Sequence, residues 1–158
     1  MNIEQKEHLE QLKRRNKEKQ RKKKIENNIL FLECKVALGI ARKLLEQEEK
    51  NIVYRAFKER VPFLPWGIDW KKFNSFHKIY KVEEIYQKCK CKDFYIIWCD
   101  ELPIIKSDIF TIIKNIDDVC AVEPDTWLFS VDFSEIIEFY HEGAITFGVI
   151  ENGKEEFN

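Results

Sequence analysis

The sequence has little glycine and little histidine, and it lacks the motifs that build most nucleotide-binding sites. Its 158 residues include five glycines, and neither G-x-x-x-x-G-K-[ST] nor G-x-G-x-x-G occurs, so nothing indicates a phosphate-binding loop. The three histidines are isolated: His8 lies in a polar segment, His77 in a predicted helix and His141 in a predicted turn. No cofactor and no metal site is therefore expected.

Long apolar runs are missing as well. The longest are residues 94–99 and 109–113, far short of the roughly 20 apolar residues that cross a bilayer. The charged N-terminus has no apolar h-region, so no secretory signal is predicted. The five cysteines are odd in number, and their one close pair, Cys89-x-Cys91, has the wrong spacing for C-x-x-C redox chemistry. These features predict reduced thiols, a cytoplasmic location and no membrane partner.

Positive charge is nearly absent from the last third of the chain. Residues 93–158 contain three lysines and fifteen Asp or Glu residues, a net charge of −12. Residues 1–26 carry a net charge of +5, and residues 27–92 a net charge of +6. So large an acidic excess goes beyond what solubility requires. It would attract basic partners and repel nucleic acid.

Composition divides the chain into a basic polar extension, residues 1–26, and a single α+β domain, residues 27–158. The extension has good helix formers and no Gly or Pro, but almost no apolar face. It is therefore predicted to be either helical or disordered. Its centre, residues 13–24, carries a net charge of +8.

Apolar residues at three- and four-residue steps predict an amphipathic helix from residue 25 to about residue 50. Pro62 and Pro65 end this helical region. Trp66 and Trp70 are predicted to dock on the core from a turn, and residues 71–88 are predicted to be helical. The apolar stripe of the first helix consists of Ile25, Ile29, Leu32, Val36, Ile40 and Leu44.

From residue 94 onward the pattern is typical of strands. A short helix, capped by Ser107 or Asp108, is predicted to run to Asn115. The connections between the later strands are too short for parallel crossovers. The predicted fold is therefore α+β, with N-terminal helices packed on a mostly antiparallel C-terminal sheet, a meander of four to five strands. The predicted strands are residues 94–99, 119–123, 126–131, 135–140 and 144–150.

Glu138-x-x-His141-Glu142 has the residue types of an acid/base or metal cluster. Positions three apart on a strand point to opposite faces, however, which favours a turn histidine that bonds to the backbone. A hydrolase that combines a carboxylate pair with His141 stays a third hypothesis. It requires a pocket that brings His141 and Glu138 together.

Clusters of carboxylates in the last third of the chain are candidate partner contacts. Two interpretations stay open: a solvated acidic face, or a surface that recognises a basic protein. Trp127 lies among β-forming residues and is either an interface residue or half-buried in the sheet. The predicted partner-binding residues are Asp100, Glu101, Asp117, Asp118, Asp125, Trp127, Asp132, Glu135, Glu138 and Glu142.

Several hydrophobic stretches resemble the bacterial immunity proteins of contact-dependent growth inhibition and related polymorphic toxin systems. They are residues 94–98 with Leu102-Pro103, residues 116–122, and residues 125–127 through 137–143; residues 66–70 are similar too. The resemblance covers roughly residues 62–150 and leaves out the basic extension. It implies a cytoplasmic protein, not an enzyme, that binds a cognate toxin domain and occludes it. Many such toxins are nucleases, and nucleases are commonly basic.

The basic extension supports an alternative, a nucleic-acid-associated protein whose contacts lie in this extension alone. Each phosphate that a lysine or arginine neutralises releases counterions, so such binding would depend on salt. A solvated, poorly ordered extension is the competing interpretation. The candidate contacts are Lys13, Arg14, Arg15, Arg21, Lys22, Lys23 and Lys24.

Overall fold

The N-terminal part of the chain is helical. The computed structural model describes residues 2–26 and 28–151. A 3-10 turn and a two-residue strand, β1, separate the second helix from the third. The bounds are α1 Ile3–Glu26, α2 Ile29–Leu38, β1 Lys43–Leu44 and α3 Gln47–Arg60.

The single helix predicted from residue 25 to about residue 50 is wrong, because two residues interrupt it. The Asn28 side chain accepts the Phe31 N–H at 3.0 Å and so caps the start of α2. Gly39 ends α2 with φ at +61°, a conformation that glycine adopts without steric cost. Both signals were in the sequence, but the apolar periodicity obscured them.

The buried face of α2 also differs from the face that the periodicity indicated. Phe31 and Leu38 are buried, whereas Val36 and Ile40 of the predicted stripe are 79% and 105% exposed. The Phe31 ring meets Trp98 edge-on, with 5.7 Å between ring centroids. Packing of these two large rings therefore decides which side of α2 faces the core.

Residues 71–88 do not form the helix predicted for them. They contain the strand β4, Ser75–Ile79, and the short helix α4, Ile85–Lys88. β4 lies at one edge of the main sheet, where Ser75 is opposite Val149 on the last strand. Pairing with a strand distant in sequence outweighs the local helical pattern here.

The rest of the chain builds an antiparallel sheet of seven strands and a separate two-stranded hairpin. The hairpin consists of β2, Phe63–Leu64, and β3, Gly67–Ile68. The other strands are β5 Asp93–Ile97, β6 Ile105–Asp108, β7 Thr126–Ser130, β8 Glu135–Phe139 and β9 Ile145–Val149. The strand order of the sheet is β1-β6-β5-β7-β8-β9-β4. The predicted α+β class is confirmed, although the sheet exceeds the predicted four to five strands.

Most of the strand predictions in the last third are confirmed, as β5, β7, β8 and β9. The strand predicted at residues 119–123 is wrong, because α6, Ile116–Cys120, occupies its first half. The short helix forms as α5, Ile109–Lys114, and the Asp108 side chain caps it by accepting the Thr111 N–H at 2.9 Å. β6 and the edge strands β1 and β4 were missed.

Side chains on the two faces of the central strands pack into two separate hydrophobic cores. On β5, Phe94 and Ile96 join a cluster with α2, α5 and α6, whereas Ile97 joins a cluster with α3. On β7, Leu128 and Phe129 divide in the same way. Burial on both faces explains why these strands are apolar almost throughout. Among the described residues, no helix is both long and apolar enough to cross a membrane.

Candidate functional site

The strand register gathers acidic side chains at one end of the sheet. The C-terminal end of β5 lies beside the N-terminal end of β7, and the C-terminal end of β8 beside the N-terminal end of β9. Loops 98–104, 121–125 and 140–144 therefore meet at this end. They carry exposed or half-buried carboxylates that we name the acidic end: Asp100, Glu101, Glu123, Asp125 and Glu142.

Two contacts fix side chains of the acidic end. The Asp125 carboxylate accepts the His141 backbone N–H at 2.8 Å and lies 3.0 Å from Nδ1 of the same residue. The Cys99 thiol donates to Glu123 at 3.9 Å. The loops are thus tied to one another. His141 is paired with Asp125, so the structure does not bring it together with Glu138 as a hydrolase would require.

A buried lysine lies under the acidic end. Lys50 of α3 is 8% exposed, and its ammonium donates to the backbone carbonyl of Asp100. Burial lowers the pKa of Lys50, the charge of Asp100 opposes that change, and Arg21 of α1 adds to it. Arg21 also lines a groove together with Glu101. The last turns of the basic helix α1 therefore lie beside the acidic end.

Glu138 on β8 is a buried carboxylate, 5% exposed, that accepts three N–H groups. Its Oε2 accepts the backbone N–H of Ile68 at 2.9 Å and the indole N–H of Trp127 at 3.0 Å. Its Oε1 accepts the indole N–H of Trp70 at 3.1 Å. This one carboxylate joins the sheet to the β2–β3 hairpin and to the 3-10 turn that follows it.

A groove of about 410 Å³ opens above Glu138. We name it the aromatic groove, since rings form much of its wall. Trp66, at the apex of the β2–β3 hairpin, is 61% exposed. The backbone of Gly67 passes so close that a Cβ there would lie 3.1 Å from Oε2 of Glu138 and 3.3 Å from Tyr140. The side chains that line the aromatic groove include Trp66, Trp70, Phe76, Lys78, Glu138, Tyr140 and Glu142.

The aromatic groove and the acidic end adjoin each other at Tyr140. Burial raises the pKa of Tyr140, and the carboxylates of Glu142, Asp125 and Glu138 raise it further. The charges of three carboxylates therefore act on this one phenol, two of them from the acidic end. Exposed rings and carboxylates therefore lie next to one another on this part of the surface.

The thiols offer no activated nucleophile in the described part of the chain. All five cysteines are free. Burial raises the pKa of Cys34 and of Cys89 to about 12, so both are neutral near pH 7. Within residues 2–26 and 28–151, no three His, Cys, Asp or Glu side chains are grouped as metal ligands.

A family model described as "CdiI immunity protein EcoliA0-like" matches residues 28–148. The chain belongs to this family. The immunity protein therefore has a cognate toxin as its partner and neutralises it. The resemblance seen in the sequence is confirmed, and the match extends further, to α2 and α3. No curated protein matches the chain.

The ten predicted contact residues of the immunity protein lie in several places. Asp100, Glu101, Asp125 and Glu142 belong to the acidic end, and Asp117 and Asp118 are exposed on α6. Trp127 and Glu138 are half-buried and buried beneath the aromatic groove. The last two lie at the opposite end of the sheet, where Asp132 follows β7 and Glu135 begins β8.

Asp132 and Glu135 serve the fold of the immunity protein. Glu135 is 3% exposed and accepts the backbone N–H groups of Lys90 and Cys91 at 2.9 and 2.8 Å. Asp132 accepts the hydroxyl of Ser134 at 2.6 Å within the β7–β8 turn. These two carboxylates therefore do not belong to the acidic end.

Three aromatic residues of the groove were missed in the sequence: Trp66, Phe76 and Tyr140. Trp66 was predicted to dock on the core, but it occupies a hairpin apex, where a side chain has few neighbours. Phe76 was assigned to a helix, and its exposure follows from the edge strand. The Pro65-Trp66-Gly67 turn between two short strands was the one sequence signal that could have indicated an exposed Trp66.

The basic helix α1 lies outside the family match. The described side chains from residue 2 to residue 23 are all exposed. They include six of the seven candidate nucleic-acid contacts: Lys13, Arg14, Arg15, Arg21, Lys22 and Lys23. The side chain of the seventh, Lys24, lies outside the described part of the structure.

Proposed function

We propose that this immunity protein acts in the cytoplasm, without catalysing a reaction, by covering the active cleft of a basic toxin nuclease with its acidic end. The observation that carries the proposal is the convergence of five carboxylates from three loops at one end of the sheet. A nuclease cleft is built to hold phosphate, and clustered carboxylates present the same sign of charge. Such a field would also speed the encounter of the two proteins.

The surroundings of the acidic end favour an interface of ordinary construction. Stable interfaces place a few buried aromatic anchors inside a polar rim. Trp66 and Tyr140 of the aromatic groove are available as anchors, with Glu142 and Asp125 as neighbouring rim. Occlusion by such a patch needs no chemistry from the immunity protein.

The proposal is tested with the purified cognate toxin domain. The double variant D100N/E142Q removes two charges from the acidic end, and D93N/E59Q removes two exposed charges elsewhere. We expect the first to lower the association rate about tenfold at roughly 50 mM salt and less at roughly 300 mM. The second should leave the rate unchanged.

Two results would each contradict a different part of the proposal. Equal association rates for both double variants would place the interface away from the acidic end. A toxin domain that degrades neither DNA nor RNA in vitro, yet is neutralised in cells, would contradict the proposal that the toxin is a nuclease. Stopped-flow fluorescence and a nucleic-acid degradation assay supply these two measurements.

Nucleic-acid contact through α1 is a second candidate function. It is favoured by one observation, the exposure of every described side chain from residue 2 to residue 23 of a strongly basic segment. A solvated cationic helix can follow a phosphate backbone without base-specific contacts.

A further inference from the structure

The carboxylate of Glu138 is a buried negative charge that meets uncharged partners. Its three donors are one backbone N–H and two indole N–H groups. No cation among the described residues lies within ion-pair distance of it. Because each carboxylate oxygen can accept about two hydrogen bonds, Oε1, which accepts only Trp70, keeps an acceptor position.

The groove above this charge has the chemistry of a cation site. The exposed ring of Trp66 and the ring of Tyr140 line it, and Glu142 is exposed beside them. Aromatic faces attract cations, and the attraction grows when water is excluded. Lys78 also lines the groove but forms no ion pair with Glu138 or Glu142 within the described part of the chain.

Among cations, a guanidinium matches the groove best. It is planar and weakly hydrated, so it can stack on an indole, and its fork of N–H donors fits carboxylate oxygens. An ammonium is compact and holds its water more tightly. An anionic or purely apolar ligand would leave the charge of Glu138 without a counter-charge.

We infer that the aromatic groove receives the guanidinium of one arginine of the toxin, stacked on Trp66 and bonded to Glu138 and Glu142. This inference rests on the proposed function, because it names the contact through which the acidic end holds its basic partner. Trp66 is then an anchor of the interface, and Glu138 both supports the fold and recognises the ligand.

The four tryptophans allow the groove to be tested without the toxin. The indole N–H groups of Trp70 and Trp127 report on Glu138, and that of Trp66 on the groove. The indole of Trp98 donates to the Val119 carbonyl in the other core cluster and serves as an internal control. The full chain is titrated with argininamide, and with citrullinamide as a ligand of the same shape whose side chain is uncharged, by indole ¹H–¹⁵N NMR.

Argininamide is expected to shift the indole signals of Trp66, Trp70 and Trp127 and to leave Trp98 in place. Citrullinamide should shift none of them, since its urea group has no charge. Signals that stay unmoved with argininamide, or that move equally with both ligands, would overturn the inference.

A second experiment uses single variants in complex with the toxin domain. W66A and E142Q are expected to raise Kd about tenfold, as interface anchors commonly do. The W66A effect should persist at high salt because it arises from stacking and packing. K78Q, which removes the lysine of the groove, should not weaken binding, and D93N, at the opposite end of the sheet, should leave Kd unchanged.

The outcomes separate this inference from the proposed function. If W66A binds the toxin as tightly as wild type while D100N/E142Q associates slowly, the groove is not the contact and the acidic end still is. If wild type binds no toxin domain, the occlusion proposal fails, and the argininamide titration alone decides whether the groove binds a guanidinium.

Discussion

The carboxylate of Glu138 accepts the indole N–H of Trp127, the residue directly opposite it on β7, at 3.0 Å. The same oxygen accepts the backbone N–H of Ile68, so a single buried group links neighbouring strands to the β2–β3 hairpin. Buried charges are tolerated where donors surround them, and here three donors do. The hairpin that carries Trp66 is therefore anchored from below by Glu138.

Replacing Glu138 should destabilise the protein strongly. E138A leaves three N–H donors without their acceptor, and we expect a loss of about 3 kcal/mol in the free energy of unfolding. E138Q should cost less stability than E138A, because its amide oxygen still accepts a hydrogen bond. It should still be less stable than wild type, because its NH₂ group faces an N–H donor. Urea unfolding at pH 7 measures both. E142Q, at an exposed site in the same groove, is the control, and an E138A variant as stable as wild type would contradict the role given to Glu138.

Gly148 on β9 is expected to tolerate no side chain. A Cβ there would overlap the Trp70 ring and lie 3.0 Å from Phe73. G148A should lower the free energy of unfolding by about 2 kcal/mol, or Tm by about 6 °C, since a packed ring must move. Calorimetry measures this shift. V149A changes the next position of the strand, which is exposed, and should lower Tm less than G148A does. Equal Tm shifts for the two variants would mean that the Trp70 ring moves aside without cost.

The strands of the last third were predictable because their sequence and their pairing agree. β5, β7 and β8 send apolar residues into both core clusters, and Gly143 closes the last hairpin with a positive φ. β4 was not predictable, since Phe73 and Phe76 fit a helical step and only β9 makes the segment a strand. Local pattern fails where long-range pairing decides.

The site was predictable only in part, for a similar reason. Glu138 and Glu142 were selected for their charge, and the structure places both in one groove. Trp66 lies far from them in sequence, and its nearness depends on a two-residue hairpin turn and on the hydrogen bond from Ile68 to Glu138. No periodicity encodes that contact.

The β7–β8 turn should make stability depend on acid through Asp132. Burial alone would raise the pKa of Asp132, but hydrogen bonds from Ser134, Ser130 and Cys91 outweigh it and lower the pKa to about 2. A carboxyl group whose pKa is lower in the folded state stabilises the fold above its unfolded value, 3.8. That contribution is lost as pH falls from about 4 to about 2.

The variant D132N should therefore be less stable than wild type at pH 7 and approach wild type as pH falls through this window. Unfolding by urea from pH 7 down to pH 2 measures the difference. D93N removes an exposed carboxylate at the start of β5 and is the control, expected to be as stable as wild type at pH 7. A D132N curve parallel to wild type across the window would mean that the hydrogen bonds to Asp132 do not depend on its charge.

The basic helix α1 is expected to be dispensable for toxin neutralisation, because the family match begins at residue 28. The triple variant K13Q/R14Q/R15Q removes three exposed cations far from the turns of α1 that approach the acidic end. Protection of cells against the toxin should stay at the wild-type level. If α1 contacts nucleic acid, the same variant should bind nucleic acid more weakly in a mobility-shift assay. The slope of log K against log salt concentration should become less steep by ~0.9 for each lost phosphate contact.

The matched control removes three exposed lysines that lie outside α1, K71Q/K72Q/K88Q. An equal loss of nucleic-acid binding in both triple variants would indicate a nonspecific charge effect and remove α1 as a dedicated contact. Lost protection in the α1 variant alone would lead to a different conclusion. Helix α1, whose Arg21 and Lys22 line a groove with Glu101, would then take part in presenting the acidic end to the toxin.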